Sequence, residues 1–568
     1  MRKIIIFVLS VLTVLSLVAC GDITSANTLT TTNQETTVIT DTDLPTTDAI
    51  TSNTLETTEI TTIEAVSTEI PTTVASTTVT TEVTTDERYQ DISFYSINDF
   101  HGGTYSDVFY LEQIGAFFKY KKANDENTII LSNGDIFQGA ALSNYYHGRP
   151  IVDVFNNIGF DGFIIGNHEF DWGIDEILNY KDGNLENGEM DSPILAANIV
   201  YKDTQEPLEN TIPYIIKEVS GVKVGVIGLI GEVIDSISAT MVENIEFLEP
   251  GLVAGNYAYE LRENQDCDIV VVYIHDGSSI NYELASLDGQ YRIDAVFNGH
   301  THWDQEGYIE RSDESRMYYA QINPSYSMLA SITLEYDTVE QKIVSGSVYN
   351  YSNSDISYYN DQTIEDILFS YSNDIEYATF VSEILTTSTG NFSKSTLATW
   401  GASVIRDYLG IDVGAVNRGG FRHEIYPGEI TMGDMIENYP FDNYINTCKL
   451  TGQQLLDFYE DIQYYNDDVV FDDALTYNNG NLYINGVLVE ASILYTVGAV
   501  DYIFNKTDYA FLDGQDITIT TYLMRDLLVE DLRNSNGSFN PNNGTNYQEI
   551  TYYYDYDYYK DLKEYLYI

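Results

Sequence analysis

Three observations predict an α/β chain. Short apolar runs rich in β-branched residues recur from Ile92 to Phe297, helical spacing fills some of the intervals between them, and each run ends in a compact polar motif of Asp, Asn and His. Open α/β sheets bind their ligands beyond the carboxyl ends of the strands. Five strand ends are therefore expected to meet at one site.

The first run, Ile92 to Ile97, leads into Asn98-Asp99-Phe100-His101-Gly102. Leu111, Ile114, Phe117 and Phe118 then recur at helical spacing, as a helix with one apolar face requires. Thr128 to Leu131 leads into Ser132-Asn133-Gly134-Asp135, and Phe163 to Ile165 into Gly166-Asn167-His168-Glu169-Phe170-Asp171. Ile269 to Ile274 precedes His275-Asp276-Gly277, and Ala295 to Phe297 precedes Asn298-Gly299-His300-Thr301-His302. Five of the seven histidines lie in these motifs. Any one motif reads equally well as a turn or a satisfied core histidine; the ordered set of five does not. Oxygen and imidazole donors without cysteine suit borderline divalent metals such as Zn, Mn, Co or Fe, and argue for an open catalytic pair over a closed structural site. Phosphate-ester hydrolysis, among the slowest uncatalysed reactions, is the chemistry such a pair serves.

In this order the motifs resemble the 5'-nucleotidase family, the two-domain members of the calcineurin-like metallophosphoesterases, from about Asp91 to about Asp526. The resemblance implies a four-layer α/β sandwich followed by an α+β substrate domain. It implies two divalent metal ions, one held by Asp99, His101 and His302, the other by Asn167, His275 and His300, with Asp135 bridging. It also assigns His168 and Asp171 to a catalytic dyad, in which the carboxylate fixes the imidazole tautomer and stabilises its protonated form.

In the second half, Gly410 to Val416 reads as a strand that ends in Asn417-Arg418-Gly419-Gly420-Phe421-Arg422, similar to the family's Asn-x-Gly-Gly-x-Arg substrate loop. Glycine permits close backbone approach and an arginine fork suits a phosphate, so Arg422 is the expected phosphate contact outside the metals, with Asn417 in the same loop. Tyr439-Pro440-Phe441-Asp442-Asn443 matches the family's Pro-Phe-x-Asn segment, and Asp501-Tyr502-Ile503-Phe504 matches the segment that supplies a second ring. The resemblance makes Phe441 and Tyr502 the walls of a nucleobase sandwich, a tolerant device because every base offers a π-face. Ordinary core aromatics are the competing reading in a chain with 48 tyrosines and 23 phenylalanines. Two segments depart from the family pattern. A Gly-Gly-Asp-Gly-Tyr-like loop is replaced by Asn505-Lys506-Thr507-Asp508-Tyr509, which keeps Asp508, and the usual Asn-x-x-x-Asp helix has Thr399 and Ser403, with Arg406 nearby. Arg406 and Asp508 are expected to complete the substrate contacts.

Arg2 and Lys3 precede an apolar stretch from Ile4 to Val18, and Leu17-Val18-Ala19-Cys20 resembles a bacterial lipobox, so residues 1–20 read as a lipoprotein signal peptide. Cleavage before Cys20 and lipidation of its sulfur would tether the protein to the extracellular face of the cell membrane; an uncleaved anchor gives the same topology. Residues 21–87 are dominated by Thr, with too little hydrophobic mass for a core, and read as a disordered stalk. About 480 residues follow, enough for two or three domains. We place a metallophosphoesterase domain at 88–348, a linker at 349–375 and a substrate-binding domain at 376–568, whose last stretch from Tyr552 to Ile568 is dense in Tyr and Asp.

A formal charge of −62 argues against nucleic-acid polymers as partners, since the long-range field repels them, while small nucleotides bind where metals and arginines reverse the local sign. Such acidity also suits a high-salt habitat. Cys267 and Cys448 are expected to be buried free thiols rather than a disulfide. Together these readings predict a surface-anchored enzyme that releases nucleoside and phosphate from nucleotides. A 2',3'-cyclic-nucleotide phosphodiesterase or a UDP-sugar hydrolase on the same scaffold is the alternative within the enzyme class. A non-catalytic surface binding protein or adhesin is the alternative outside it, and a full ligand set beside His168 and Asp171 argues against that.

Overall fold

A computed structural model describes residues 88–103, 111–185 and 187–547. Cys20, the Thr-rich segment 21–87 and the stretch 552–568 lie outside the described residues. The five expected runs form the strands Tyr89–Ile97, Thr128–Asn133, Gly162–Ile164, Ile269–His275 and Ala295–Phe297. The first three lie parallel in a seven-stranded sheet, extended by Ile194–Leu195 and Thr211–Ile212 on one side and by the antiparallel Ser327–Asp337 and Lys342–Ser352 on the other. The last two lie parallel in a six-stranded sheet with Val222–Ile230 and Arg316–Gln321, bordered by the antiparallel Tyr214–Val219 and Gln305–Glu310.

The two sheets pack on each other. Ile92, Phe94, Ile129 and Ile164 of one share a core with Val224, Val271, Tyr273 and Phe297 of the other. The Tyr273 hydroxyl crosses this interface to donate to the Tyr95 carbonyl at 3.0 Å, which satisfies the polar end of a fully buried ring. Helices Leu111–Asn124 and Arg149–Ile158 cover the outer face of the seven-stranded sheet, and Pro250–Glu263 and Asn281–Ser286 cover that of the six-stranded one. Helix, sheet, sheet and helix make the expected four layers. Strands covered on both faces have no solvent side, which is why they read in the sequence as continuous apolar runs rather than alternating ones.

Segment 349–375 completes the strand Lys342–Ser352 and continues into the helices Asn353–Ile356 and Gln362–Ser372. Ile356 and Ile364 enter the sandwich core, and Asp361 pairs with Lys119 at 2.7 Å, so this stretch is built onto the first half as well as leading to the second. The second half centres on a mixed five-stranded sheet in the order Val469–Phe471, Val413–Asn417, Leu494–Val500, Tyr444–Thr451 and Gln515–Leu523. Helices Lys394–Leu409, Gly452–Tyr465 and Met524–Arg533 contribute to its core around Trp400, Phe421 and Leu528. One boundary differs from the sequence reading. The strand starts at Val413, because Gly410 adopts φ +63° and caps the preceding helix, a left-handed conformation that a residue without Cβ takes most readily.

Both halves belong to one compact unit. Asn144 Nδ2 donates to the Pro440 carbonyl at 3.0 Å, and the Tyr145 ring lies 5.2 Å from that of Tyr377 and 5.5 Å from that of Phe380. Cys267 and Cys448 are buried and free, as expected. Among the described residues, no helix is long and apolar enough to cross a membrane.

Candidate metal centre and substrate cleft

Asp99, Asp135, Asn167, His275 and His300 all fall at or just beyond the carboxyl ends of the five strands. The backbone there is held in an uncommon state. Asp99, His101, Asp135, His300 and His302 have φ between 47° and 68°, a region that residues with a Cβ rarely occupy, and such clusters mark sites whose geometry the surrounding fold imposes. Gly134, at φ +80°, leaves room for the His275 ring, which a Cβ at that position would strike.

The ligand atoms of Asp99, His101 and His302 lie within 4.8 Å of one another, and so do those of Asp135, His275 and His300. In the first group His302 Nε2 stands 3.3 Å from both Asp99 Oδ1 and His101 Nε2. In the second, Asp135 Oδ2 lies 3.1 Å from His275 Nε2, while Asn167 Oδ1 lies 3.1 Å from that nitrogen and 2.8 Å from His300 Nδ1. Asp135 also groups with His101 and His168, which sets its carboxylate between the two clusters.

The rings are oriented from behind. His101 Nδ1 lies 3.2 Å from the Gln138 carbonyl and His275 Nδ1 lies 2.9 Å from the Asn133 carbonyl, so each ring donates outward and turns Nε2 inward. Burial, with Arg422 and His168 nearby, holds His101 well below the usual imidazole range, so its ring stays neutral with Nε2 as an acceptor. A cation satisfies the facing His101 and His302 nitrogens and the Asp99 oxygen together, so the donor set fits a divalent metal. Burial opposes the charge on Asp135, but the imidazoles of His275, His168 and His101 outweigh it and keep this carboxyl well below the usual range.

His168 Nδ1 meets Asp171 Oδ2 at 2.6 Å, and the His168 backbone N–H donates to Asp135 Oδ1 at 2.8 Å. Burial opposes the imidazolium, yet Asp171 and Asp135 prevail and keep His168 protonated to higher pH than a free histidine. With Nδ1 engaged by Asp171, Nε2 is the remaining polar atom of the ring.

Two residues inside the motifs, given no role by sequence reasoning, hold the loops in place. Buried Glu169 accepts from the backbone N–H groups of Asp135 and Ile136, both at 2.8 Å, and of Gly166 at 2.7 Å. Burial and the neighbouring Asp135 push its carboxyl up to about 7 against those three bonds. Asn133 Nδ2 donates to the carbonyls of Ile274 and Phe297, both at 3.1 Å, and so ties three strand ends across the two sheets. An acidic residue between His168 and the apolar Phe170, and an amide closing a buried strand, were the available signals.

On the side of the second half, the Arg422 guanidinium lies 5.6 Å from the centre of the Phe441 ring, which is 5.7 Å from the His168 ring. Arg422 acts electrostatically on His101, His168 and Asp171, so its charge lies near the histidine cluster. The Tyr502 hydroxyl donates to the Asp235 carbonyl at 3.3 Å, and Tyr502 feels Asp171 and Arg422. Asn443 couples the two aromatic segments: it accepts from the Tyr439 hydroxyl at 3.2 Å and donates to Asp501 Oδ1 at 3.0 Å. Phe441 and Tyr502 are both half-buried, and among the described residues no ring contact joins them. Asn417 is buried at the end of its strand, and its amide oxygen has no hydrogen-bond partner among the described residues.

Neither Arg406 nor Asp508, the other two expected substrate contacts, is joined to Arg422, Phe441 or Tyr502 by a hydrogen bond or ion pair among the described residues. The Arg406 guanidinium is engaged by Asp407 at 2.8 Å, by Asp473 at 2.7 Å and by buried Asp472, so its charge is balanced within the second half. Asp508 is exposed in the loop after the short helix Asp501–Phe504 and makes no hydrogen bond to a cleft residue among the described residues.

Residues 92–304 match the family model described as calcineurin-like phosphoesterase, and residues 376–513 match that of the 5'-nucleotidase C-terminal domain. The chain is 26% identical over 433 residues to Endonuclease YhcR of Bacillus subtilis, covering 66% of this chain and 33% of that protein. It is 26% identical over 373 residues to an Apyrase of Tabanus yao, covering 60% of this chain and 65% of that one. The chain thus spans between a third and two thirds of the length of these relatives. Its fold resembles the crystal structure of a 5'-nucleotidase precursor from Thermus thermophilus, with a TM-score of 0.66 and 18% identity over 79% of this chain and 97% of that one.

Proposed function

Because this chain belongs to the calcineurin-like phosphoesterases that carry a 5'-nucleotidase C-terminal domain, we propose that it is a two-metal hydrolase of nucleotide phosphate esters, releasing nucleoside and phosphate. The observation that carries this reading is the pair of ligand groups meeting at Asp135, with the His168 and Asp171 dyad beside them. Asp99, His101 and His302 would hold one cation and Asn167, His275 and His300 the other. Zn, Mn, Co and Fe all suit these nitrogen and oxygen donors. A divalent pair in such a site supplies Lewis acidity and an activated water at neutral pH. His168 carries a proton next to the position of the phosphoryl and leaving oxygens, Asp171 fixes its tautomer, and Arg422 offers the phosphate a planar fork. The Leu17-Val18-Ala19-Cys20 box and the Thr-rich stretch behind it support a lipid-anchored position at the cell surface.

In this reading Phe441 and Tyr502 take the base. Stacking is worth roughly 1–3 kcal/mol per base, so Phe441→Ala or Tyr502→Ala is expected to raise KM for nucleoside monophosphates about tenfold relative to a small aryl phosphate. Arg422→Ala is expected to impair both substrates, because both present a phosphate. Steady-state kinetics on the two substrates is the check. Aromatic variants whose relative efficiency on the two is unchanged would reduce the function to that of a general metallophosphatase.

A further inference from the structure

The loop Asn505-Lys506-Thr507, one of the departures from the family pattern, sets a cation at the rim of the aromatic slot. Lys506 Nζ lies 3.4 Å from the Tyr502 hydroxyl and 4.5 Å from the centre of that ring. The shorter distance is to the hydroxyl, so the ammonium lies over the tip of the ring rather than over its centre. The centre of the Tyr509 ring is 5.9 Å away. Lys506 forms no ion pair among the described residues; its hydrogen bond is the long one to Tyr502, and burial draws its pKa below the ordinary lysine value although Asp235, Asp467 and Asp468 favour its charge from further off. A half-buried ammonium with three donors and one long bond has donors to offer a ligand.

We propose that Lys506 selects the nucleobase: it donates to a carbonyl on the outer edge of a base stacked on Tyr502, and so favours 6-oxopurines and 4-oxopyrimidines over adenine and cytosine. This rests on the nucleotide reading above. An ammonium has no acceptor to offer an exocyclic amine, so an amino base would set two donors against each other in a partly desolvated slot, a worse outcome than a missing bond. The edge of the base farthest from the sugar carries the purine C6 and pyrimidine C4 groups. The proposal sets the phosphate at the histidine cluster and the ring on Tyr502, with that edge toward the tip where Lys506 stands.

Inosine and adenosine monophosphates differ at that edge, as do uridine and cytidine monophosphates. The full chain, loaded with Mn, is expected to show kcat/KM about tenfold or more higher for the oxo member of each pair, the discrimination a hydrogen bond to a charged group supports. Lys506→Met is expected to bring both ratios close to one, and Lys506→Arg, which keeps the donors, to hold them above one. Ratios near one in the unmodified chain would overturn the proposal without any variant. So would ratios that persist in Lys506→Met, or a Lys506→Met loss shared equally by all four nucleotides, which is what a mere prop for Tyr502 produces. An enzyme that cleaves an aryl phosphate but none of the four nucleotides would overturn the nucleotide reading itself, and the proposal with it.

Discussion

Asp135→Ala is expected to lose most of its bound metal and to lower kcat by at least about 10³-fold, because two-metal stabilisation of the transition state is worth several kcal/mol. Asp135 is the residue that shares a ligand group with His275 and His300 and another with His101. Removing it also takes away the acceptor for the His168 backbone N–H. The fold itself should survive, since Thr128–Asn133 is buried independently of that carboxylate and Glu169 still accepts from the backbone at residues 135 and 136. Metal content after gel filtration, measured beside turnover, is the check. A variant that keeps two ions and normal turnover would contradict the bridging role.

His168→Ala is expected to do the opposite to metal while sharing the loss of rate. The proposed function assigns this ring, held at Nδ1 by Asp171, to the phosphoryl group and not to a cation; both ions should then remain while kcat falls by about 10²–10⁴-fold, the usual range for a positioned proton donor. Asp171→Asn should lower kcat in the same direction by less, because an amide still orients the ring but does not stabilise the imidazolium. His168 does stand close enough to His101 and Asp135 to share a cation with them. Loss of metal from His168→Ala would therefore place it among the ligands.

The catalytic half was legible in the sequence because its signals are local. A strand covered on both faces shows as an apolar run, and a candidate ligand just past its end shows as a polar motif; the ligand set and the dyad came from the resemblance those motifs carry, and the structure brings these residues together. Three kinds of feature were not legible. Glu169 acts through backbone N–H groups from two separate loops, and which loops meet is a property of the sheet order. Arg406 reads from its position as a substrate contact, but Asp472 and Asp473, more than sixty residues away in sequence, take its charge. The left-handed backbone at Asp99, His101, Asp135, His300 and His302 leaves no trace in composition, since the glycines with positive φ in these turns, Gly102, Gly103 and Gly134, stand beside those residues and not at them. Lys506 likewise stood out only as a departure until its distance to Tyr502 gave it a place.

The central claim is tested most directly by stripping the full chain with a chelator and titrating Mn back while following both bound metal and phosphate release from a nucleoside monophosphate. Activity absent from the stripped protein, returning with metal and saturating at two ions per chain with one nucleoside formed per phosphate, is the result predicted here. Full turnover by the stripped protein, or a chain loaded with two ions that leaves the nucleotide intact, would contradict it.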